Sequence, residues 1–356
     1  MHLMRIAIYG AKSLALGTYM AVKELYPEYE IFGFIVKSLQ GNPHVLAGIS
    51  VCELYKVEDK RIHILIATPE NLHRTIVSDL EHAGFFDYTC MDSQKEAVLM
   101  EHYFTKIGRF QSLHSFHAGI SKADFCVYMA KFHKDSVLQN DYHLSDWIKP
   151  VQVGAALTDI RMGIDTDDQG ENISVKNVNY CELTALYWMW KNKLYSIKEK
   201  KADYFGLFHY RRILDIWQED LYCLKNNGID VILPFPLLHA PSILEHHTRY
   251  VKEEDWNTMC KVLEELQPEY AETFETVFEQ PYFYNFNILI ARPDVLDDYC
   301  SWLFPILKRT EELSNPHGWE RKDRYIGYLG ENLLTLYFMY HSSDLKIAHT
   351  GCKMLL

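Results

Sequence analysis

Residues 4–25 have the sequence MRIAIYGAKSLALGTYMAVKEL, in which an apolar, β-prone run ends at Gly10 and a helical pattern follows. The pattern predicts a strand over Met4–Tyr9 and a helix over Leu14–Leu25, because apolar residues recur at helical spacing after the turn. Further strands are predicted at Glu30–Val36, His63–Ala67 and Phe85–Met91. Strands that alternate with helices are typical of parallel βαβ units. We therefore expect a doubly wound α/β fold with a ligand site at the carboxyl edge of its sheet, near Gly10.

The turn between this strand and helix, GAKSLA at 10–15, departs from a dinucleotide-binding fingerprint. That fingerprint requires glycine at its second position, where this chain has Lys12, so that the backbone can approach a pyrophosphate. Ala15 is an accepted variant at the third position. NAD or FAD binding is therefore disfavoured, and an accessory unit is preferred, in which Lys12 is a solvated turn residue or contacts a phosphate.

Composition limits the classes of protein to which the chain can belong. Its 356 residues carry 36 Lys and Arg against 48 Asp and Glu, a net charge of −12. This balance argues against nucleic-acid binding, which needs a basic surface. No apolar run approaches the roughly 18 residues of a membrane span. The eight cysteines form no CxxC pair, which predicts reduced thiols and a cytoplasmic protein.

The segment Glu101–Asp124 has no strong periodicity and is expected to be a connection. We predict two domains, residues 1–104 and 124–356, joined by a linker at 105–123. His114 and His117 have the i, i+3 spacing that can hold a metal on a helix, but no third ligand is evident. Loop histidines are the preferred interpretation.

Cationic residues follow a buried strand in the second half of the chain. The strand pattern Asp203–Phe208 is followed at once by His209-Tyr210-Arg211-Arg212. In a parallel sheet this position is the carboxyl edge, and arginine gives planar, bidentate contacts to phosphate. The sequence therefore predicts a diphosphate site, although surface ion pairs such as Arg211 with Asp215 are the alternative.

Several carboxylates are candidates for acid–base or metal chemistry. Glu182 lies three residues after Asn179, at the predicted start of a helix over Tyr180–Asn192, and either completes a capping box or serves a site. Glu331 follows a glycine at a predicted helix start, and either caps that helix or acts as an acid–base group. The acidic stretch Asp165–Asp168 could hold a cation, but a solvated turn is preferred.

Five segments in the second half resemble one known family. They are PVQVGAALTDIR, DDQGENISVKNVNYCELTALYWMWKN, ADYFGLFHYRR, FYNFNILIARPDVLDDYCSWLFPIL and RYIGYLGENLLTLYF, within residues 125–350. The family is the bacterial capsular and exopolysaccharide glycosyltransferase family long filed as a domain of unknown function. The first part, through IAIYGAKSLA, EIFGFIVKS and LAGISVCEL, is similar to the Rossmann-like amino-terminal domain of PglD-type sugar acyltransferases.

The resemblance implies transfer of a sugar from a nucleotide-sugar to a lipid-linked polysaccharide or O-antigen repeat unit. A UDP-linked hexose, such as galactose or its furanose form, fits this context, and the acceptor would place the protein at the inner face of the membrane. The order of elements is similar to the A-type glycosyltransferase fold. There a DxD motif holds Mn²⁺ or Mg²⁺, but this chain has His209-Tyr210-Arg211 at the corresponding position, which puts metal dependence in doubt.

The resemblance also implies roles for individual residues. Glu331 would deprotonate the acceptor, while His209, Arg211 and Arg212 would hold the departing diphosphate. Contacts to the nucleotide, sugar or acceptor are expected from Lys131, His133, Gln152, Gly154, Asp168, Asn172, Tyr180, Glu182, Tyr210, Asn285 and Asn287. Two alternatives stay open at this point: an NAD-dependent or nucleotide-sugar-binding regulatory protein acting through the first domain, and a sugar phosphotransferase using Asp165–Asp168.

Overall fold

A computed structural model describes residues 4–196 and 202–356, which form two α/β units. The amino-terminal unit, residues 5–106, contains a six-stranded sheet in the order β3-β4-β2-β1-β5-β6, parallel except for β3. Its strands are β1 (Arg5–Tyr9), β2 (Glu30–Val36), β3 (Val45–Leu46), β4 (Ile49–Glu53), β5 (His63–Ile66) and β6 (Tyr88–Cys90). Its helices are α1 (Ser13–Leu25), α2 (His73–His82) and α3 (Ser93–Lys106). The predicted α/β class and parallel sheet are confirmed.

Strand β1 lies at the point where the strand order of this sheet reverses, between β2 and β5. The chain leaves it at Gly10, whose φ of 128° is in the region that favours glycine. A Cβ at this position would lie 2.6 Å from the carbonyl oxygen of Ala67, at the end of β5. Glycine therefore lets the ends of β1 and β5 approach closely, and it leads the chain into α1.

The carboxyl-terminal unit, residues 125–354, is built on a mixed sheet in the order β16-β12-β15-β10-β7-β8-β9, in which β15 is antiparallel to both neighbours. Two short strands, β11 and β17, pair with each other and extend it from β10, and β13 pairs with β14. In chain order the strands are β7 (Phe125–Lys131), β8 (Ile148–Gln152), β9 (Asp165–Thr166), β10 (Tyr204–His209), β11 (Arg212–Leu214), β12 (Val231–Pro234), β13 (Leu237–Leu238), β14 (Tyr282–Phe283), β15 (Leu289–Ala291), β16 (Ile347–Thr350) and β17 (Cys352–Met354).

Helices cover this second sheet and give it a large apolar core. They are α4 (Asn177–Tyr180), α5 (Leu183–Asn192), α6 (Cys223–Asn227), α7 (Glu253–Leu266), α8 (Pro268–Phe278), α9 (Pro293–Leu313) and α10 (Tyr325–Tyr340). Helices α8 and α9 each begin with a proline, whose fixed φ suits the first helical position. Within the described ranges, no helix combines the length and the apolar character that crossing a bilayer requires.

Three local predictions were wrong, each near the site described below. The sequence YFYNFNILIA at 282–291 predicts one continuous strand, but the strand is interrupted between β14 and β15, where Phe286 and Asn287 have φ values of 74° and 50°. The helix predicted over 180–192 is broken at Cys181, with φ 51°, so no capping box forms. Glu331 does not begin its helix but lies in the second turn of α10, where it cannot serve as the cap.

The predicted connection is also partly helical, since α3 extends to Lys106. Residues of this region pack the two units against each other. Phe104 of α3 stacks on Phe235 of the second unit with ring centres 5.5 Å apart. The backbone N–H of Met354 in β17 donates to the Ser93 hydroxyl at 3.1 Å. The core around β1 is therefore completed by side chains from the second unit, including Phe235, Leu238 and Tyr282.

Candidate active site

The site begins at the carboxyl ends of β7 and β10, which are adjacent parallel strands. The chain runs from β7 to β8 on one side and returns to β10 on the other, so this is the switch point where ligands bind in such sheets. Strand β10 ends at His209, and Tyr210-Arg211 turns the chain into β11, which pairs Arg212 directly opposite His209. Opposed residues of an antiparallel pair share a face of the sheet, so His209 and Arg212 project to the same side.

Glu182 is the buried carboxylate at the centre of the site. Its Oε1 accepts a hydrogen bond of 2.6 Å from Nδ2 of Asn287 and lies 3.5 Å from Nε2 of His209. The same Asn287 amide also donates to the carbonyl oxygen of Gly327 at 3.1 Å. Burial would raise the pKa of Glu182, but the His209 imidazole and the Asn287 amide bring it below its usual value. Glu182 is therefore a fixed negative charge that orients His209.

Glu331 lies close to this pair, and its pKa is shifted in the opposite direction. Its pKa is raised to about 8, mainly by burial and also by the charge of Glu182. The backbone N–H of Phe286 and the guanidinium groups of Arg324 and Arg212 act against this rise. Part of Glu331 stays exposed to solvent. A carboxylate with a pKa near neutrality is suited to accept a proton from a substrate hydroxyl.

A second group of cationic side chains surrounds Asp135, just beyond β7. The Asp135 carboxylate accepts a 2.7 Å hydrogen bond from the backbone N–H of Phe132. Burial raises the pKa of Asp135, while this bond and the charges of His209, Lys131 and Arg211 act to lower it. The structure thus brings Lys131, His209 and Arg211 together at one sheet edge. The ring of the predicted His133 packs against Phe132, with ring centres 4.3 Å apart.

Other predicted contact residues are used within their own loops. Both polar ends of the Gln152 amide bond to backbone, at Ile160 and Met162. Three more predicted residues bond within the same region: Gly154 donates its N–H to the Asp167 carboxylate, Asp168 accepts from Thr166 and pairs with Arg161, and Asn172 donates to the carbonyls of Asp168 and Gly170. Tyr180 instead donates to Glu311 of α9, far along the chain. Their hydrogen-bonding groups are therefore engaged by the fold in this structure.

The acidic stretch at 165–168 is not the solvated turn that was expected. Asp167 is fully buried and accepts hydrogen bonds from the backbone N–H groups of Gly154 and Ala155 and from the Thr184 hydroxyl. A carboxylate with this many donors stabilises the loop after β8 and has little capacity left for a cation. That prediction was wrong for Asp167.

A large cleft of about 790 Å³ opens beside these residues, between the two units. From the amino-terminal unit it is lined by the turn at 10–14 and by Glu96 of α3. From the carboxyl-terminal unit it is lined by Arg212, Asn285 and Phe286, among others. Glu331, Glu182 and His209 do not line this cleft, which ends at Arg212 and Phe286 beside them. The Arg212 guanidinium carbon lies 4.1 Å from the centre of the Phe286 ring.

The position of the A-type metal motif does not fit a divalent cation. His209, Tyr210 and Arg211 offer an imidazole, a phenol and a guanidinium instead of paired carboxylates, and the nearby Glu182 is already bonded to Asn287. Across the described ranges, 4–196 and 202–356, no three His, Cys, Asp or Glu side chains are grouped as a metal site. His114 instead lies 3.3 Å from Glu101 and 3.5 Å from Asp220.

Two residues of the site escaped the sequence analysis. Arg324 precedes α10 with φ 65°, and its Nε donates to the sulfur of Cys181 at 3.2 Å. Glu96 lies in the first turn of α3, where an acidic residue is an ordinary helix feature. Nothing in the local sequence marks either one, because only the packing of distant segments brings them to the site.

Comparison with known proteins identifies the family of the second unit. The family described as Domain of unknown function (DUF4422) matches residues 127–342. The chain belongs to this family. The DUF4422 match includes Glu182, His209, Asn287 and Glu331 and excludes Glu96. The predicted likeness of the amino-terminal unit to PglD-type proteins stays a prediction.

Solved structures include one informative likeness. The apo structure of the WbbM bifunctional glycosyltransferase is 30% identical with a TM-score of 0.54, over 65% of this chain and 45% of that protein. The chain thus spans less than half the length of WbbM. The S. cerevisiae mannosyltransferase Ktr4p matches at 10% identity and a TM-score of 0.27, over 63% of this chain and 69% of that one, and nothing about this DUF4422 protein follows from it. The comparison with curated proteins finds no match.

Proposed function

We propose that this DUF4422 protein is a glycosyltransferase that moves a sugar from a nucleotide-sugar to an acceptor hydroxyl. The observation that carries the proposal is the position of Glu331 beside the Glu182–His209 pair, at the switch point of the second sheet. The likeness to the WbbM bifunctional glycosyltransferase supports it, and the DUF4422 match contains all three residues.

In the proposed reaction, Glu331 accepts the proton of the acceptor hydroxyl as its oxygen attacks the anomeric carbon. The bond between that carbon and the diphosphate oxygen breaks, and the nucleoside diphosphate leaves with the bonding electrons. Lys131, His209 and Arg211 lie together where they would stabilise the charge that develops on the diphosphate. Arg212, which projects from the same face as His209, would add to this stabilisation. These cations would stabilise the charge of the diphosphate, as a divalent metal does in glycosyltransferases with a DxD motif.

The proposal extends to the substrates that the family resemblance implies. The donor is proposed to be a UDP-linked hexose, with galactose and galactofuranose as the first candidates. The acceptor is proposed to be a lipid-linked polysaccharide repeat unit, which the protein would meet at the membrane surface. The transfer assay depends on which nucleotide-sugar the protein binds, so the donor is identified first.

The first experiment is a thermal-shift screen of the full chain against UDP-, GDP-, CMP- and dTDP-sugars and NAD, each with and without Mn²⁺. A ligand that binds the native state raises the melting temperature by mass action. We expect a shift with one class of nucleotide-sugar that does not depend on Mn²⁺. A shift with NAD alone would contradict the proposal and assign the function to the amino-terminal unit.

The second experiment measures transfer from the donor that the screen identifies. Glu331→Gln is expected to lower turnover at least about a hundredfold, because the general base is lost while the shape of the side chain is kept. The matched control is Glu272→Gln, at an exposed position of α8. Near-normal turnover in both Glu331→Gln and Arg211→Ala would overturn the proposed mechanism.

A further inference from the structure

The cleft between the two units is formed by the carboxyl edges of both sheets. The turn at 10–14 follows β1, and Arg212 follows β10, so each unit contributes the edge at which α/β sheets bind ligands. The units are held in this arrangement by packed contacts, such as Phe104 on Phe235 and Ser93 with Met354. The shape of the cleft is thus fixed by contacts between the two units.

Arg212 interacts with acidic side chains of both units. Its charge acts on Glu331 of α10 and also on Glu96 of α3, which belongs to the other unit. It also lies against Phe286, whose backbone N–H donates to Glu331. Carboxylates from both units therefore interact with one guanidinium, and Phe286 of the cleft wall is bonded to Glu331 through its backbone N–H.

The lining of the cleft carries charges of both signs: Glu70, Asp79 and Glu96 beside Lys12, Lys37, Arg212 and Arg249. Lys131 and Arg211, which are proposed to hold the diphosphate, lie outside the cleft at the end of β7 and in the turn after β10, which leaves the cleft for the second substrate. The cleft walls also include apolar and aromatic side chains, such as Phe235, Tyr250 and Phe286. Apolar and aromatic walls that carry polar groups are typical of sites that bind small organic ligands. Carboxylate and amide groups such as Glu96 and Asn285 can accept hydrogen bonds from sugar hydroxyls.

We propose that this cleft binds the acceptor sugar and that Glu96, from the amino-terminal unit, contacts it directly. The amino-terminal unit then supplies half of the acceptor site, although it lies outside the DUF4422 match. This inference rests on the proposed function, because it assigns the acceptor of the same reaction. The donor is proposed to bind at the sheet edge that holds Lys131 and Arg211, outside the cleft.

The test separates acceptor binding from donor binding in the full chain. Wild type, Glu96→Gln and Glu96→Ala are assayed with the nucleotide-sugar identified by thermal shift, both for donor hydrolysis by water and for transfer to octyl hexosides. The KM for the acceptor is expected to rise about tenfold or more in Glu96→Ala and less in Glu96→Gln, which keeps a hydrogen-bonding group. The rise in the acceptor KM is expected to exceed any change in the donor KM, because the donor is proposed to bind outside the cleft. The matched control is Glu24→Gln, an exposed position of α1 away from the cleft.

A binding measurement makes the result independent of turnover. Hydrogen exchange is followed with an octyl hexoside and UDP present, and protection is expected in α3 and in the turn at 10–14 as well as at 285–286. Protection limited to the carboxyl-terminal unit, absence of protection by any hexoside, or an unchanged acceptor KM in Glu96→Ala would overturn the inference. Wild type that neither binds nor hydrolyses any nucleotide-sugar would overturn the proposed function itself, which is a different result.

Discussion

The Nε2 atom of His209 lies 3.5 Å from Oε1 of Glu182, and the same carboxylate oxygen is held at 2.6 Å by Asn287. These residues come from the end of β10, the break before α5 and the turn before β15. The contact therefore joins three segments that are far apart in the sequence. It fixes the direction of the imidazole and places a permanent negative charge close to Glu331.

Removal of that charge is expected to shift the pH dependence of transfer. In Glu182→Gln the negative charge that raises the pKa of Glu331 is lost, so the base deprotonates at lower pH. Turnover is expected to fall, because His209 loses its partner, while the midpoint of the pH profile moves to lower pH. The measurement is kcat/KM against pH for Glu182→Gln and for the Glu272→Gln control. An unchanged midpoint would show that Glu182 and Glu331 are not electrostatically coupled.

In the wild type, activity is expected to rise with pH through about 8. The pKa of Glu331 is raised to about 8, and only its deprotonated form can accept the proton of the acceptor. The measurement is kcat/KM between pH 6 and 10 at constant ionic strength. A profile that is flat, or that falls across this range, would exclude Glu331 as the base.

Glu331→Gln is expected to stabilise the protein at alkaline pH. The folded pKa of Glu331, about 8, exceeds the ordinary 4.5, so the folded state binds the proton more tightly. The wild type therefore loses stability as the pH rises from about 4.5 to about 8, and the variant does not. The expected gain in the free energy of unfolding is about 1–3 kcal/mol at pH 9 and close to zero at pH 4. Denaturant unfolding at both pH values checks it, and an equal effect at both would contradict it.

Arg211→Ala is expected to weaken donor binding. Arg211 shares the edge of the second sheet with Lys131 and His209, where the diphosphate is proposed to bind. The KM for the nucleotide-sugar should rise about tenfold or more, and the affinity for the free nucleoside diphosphate should fall in parallel. Arg249→Ala is the matched control, because Arg249 lines the cleft instead of this edge. Equal effects of the two substitutions would show only a general loss of positive charge.

His114→Gln is expected to remove a stabilising contact that depends on pH. His114 stacks on Trp217 with ring centres 3.8 Å apart. Burial opposes its protonation, but Asp220 and Glu101 together raise its pKa to about 9, above the ordinary 6.5. Its contribution is fully present below about pH 6.5 and is lost as the pH rises to about 9. The melting temperature of the variant should thus be lower at pH 6 and approach wild type at pH 9.5. A constant difference across this range would contradict the prediction.

The parts of the fold that the sequence predicts are those set by short-range patterns. The alternation of buried strands and amphipathic helices indicates parallel α/β sheets, and the buried run before His209 places that residue at a carboxyl edge. The turn before β15 was not predictable in this way, because Asn287 leaves the strand to bond with Glu182. Nor was the break at Cys181, since Asn179 is held by the carbonyl groups of Gly318 and Arg321, far along the chain.

The site was predictable only where it follows a strand. His209, Arg211 and Lys131 each lie at or just after a strand end, and sheet topology alone brings them together. Glu182 and Glu331 were recognised as candidates, but their helix positions were misjudged because capping rules consider a single helix. Glu96 had no local signal at all, since its position beside Arg212 depends on how the two units pack.

The close approach of α3 to the carboxyl end of the chain has a consequence for sequence variation. A Cβ on Gly351 would lie 2.2 Å from the Cβ of Ala97, so neither position has room for a larger residue unless the other segment moves. Substitutions in α3 and in the segment 351–354 are therefore expected to covary among homologues that carry both units. A protein with the second unit alone would be free of this constraint and could carry a bulkier residue at the position of Gly351.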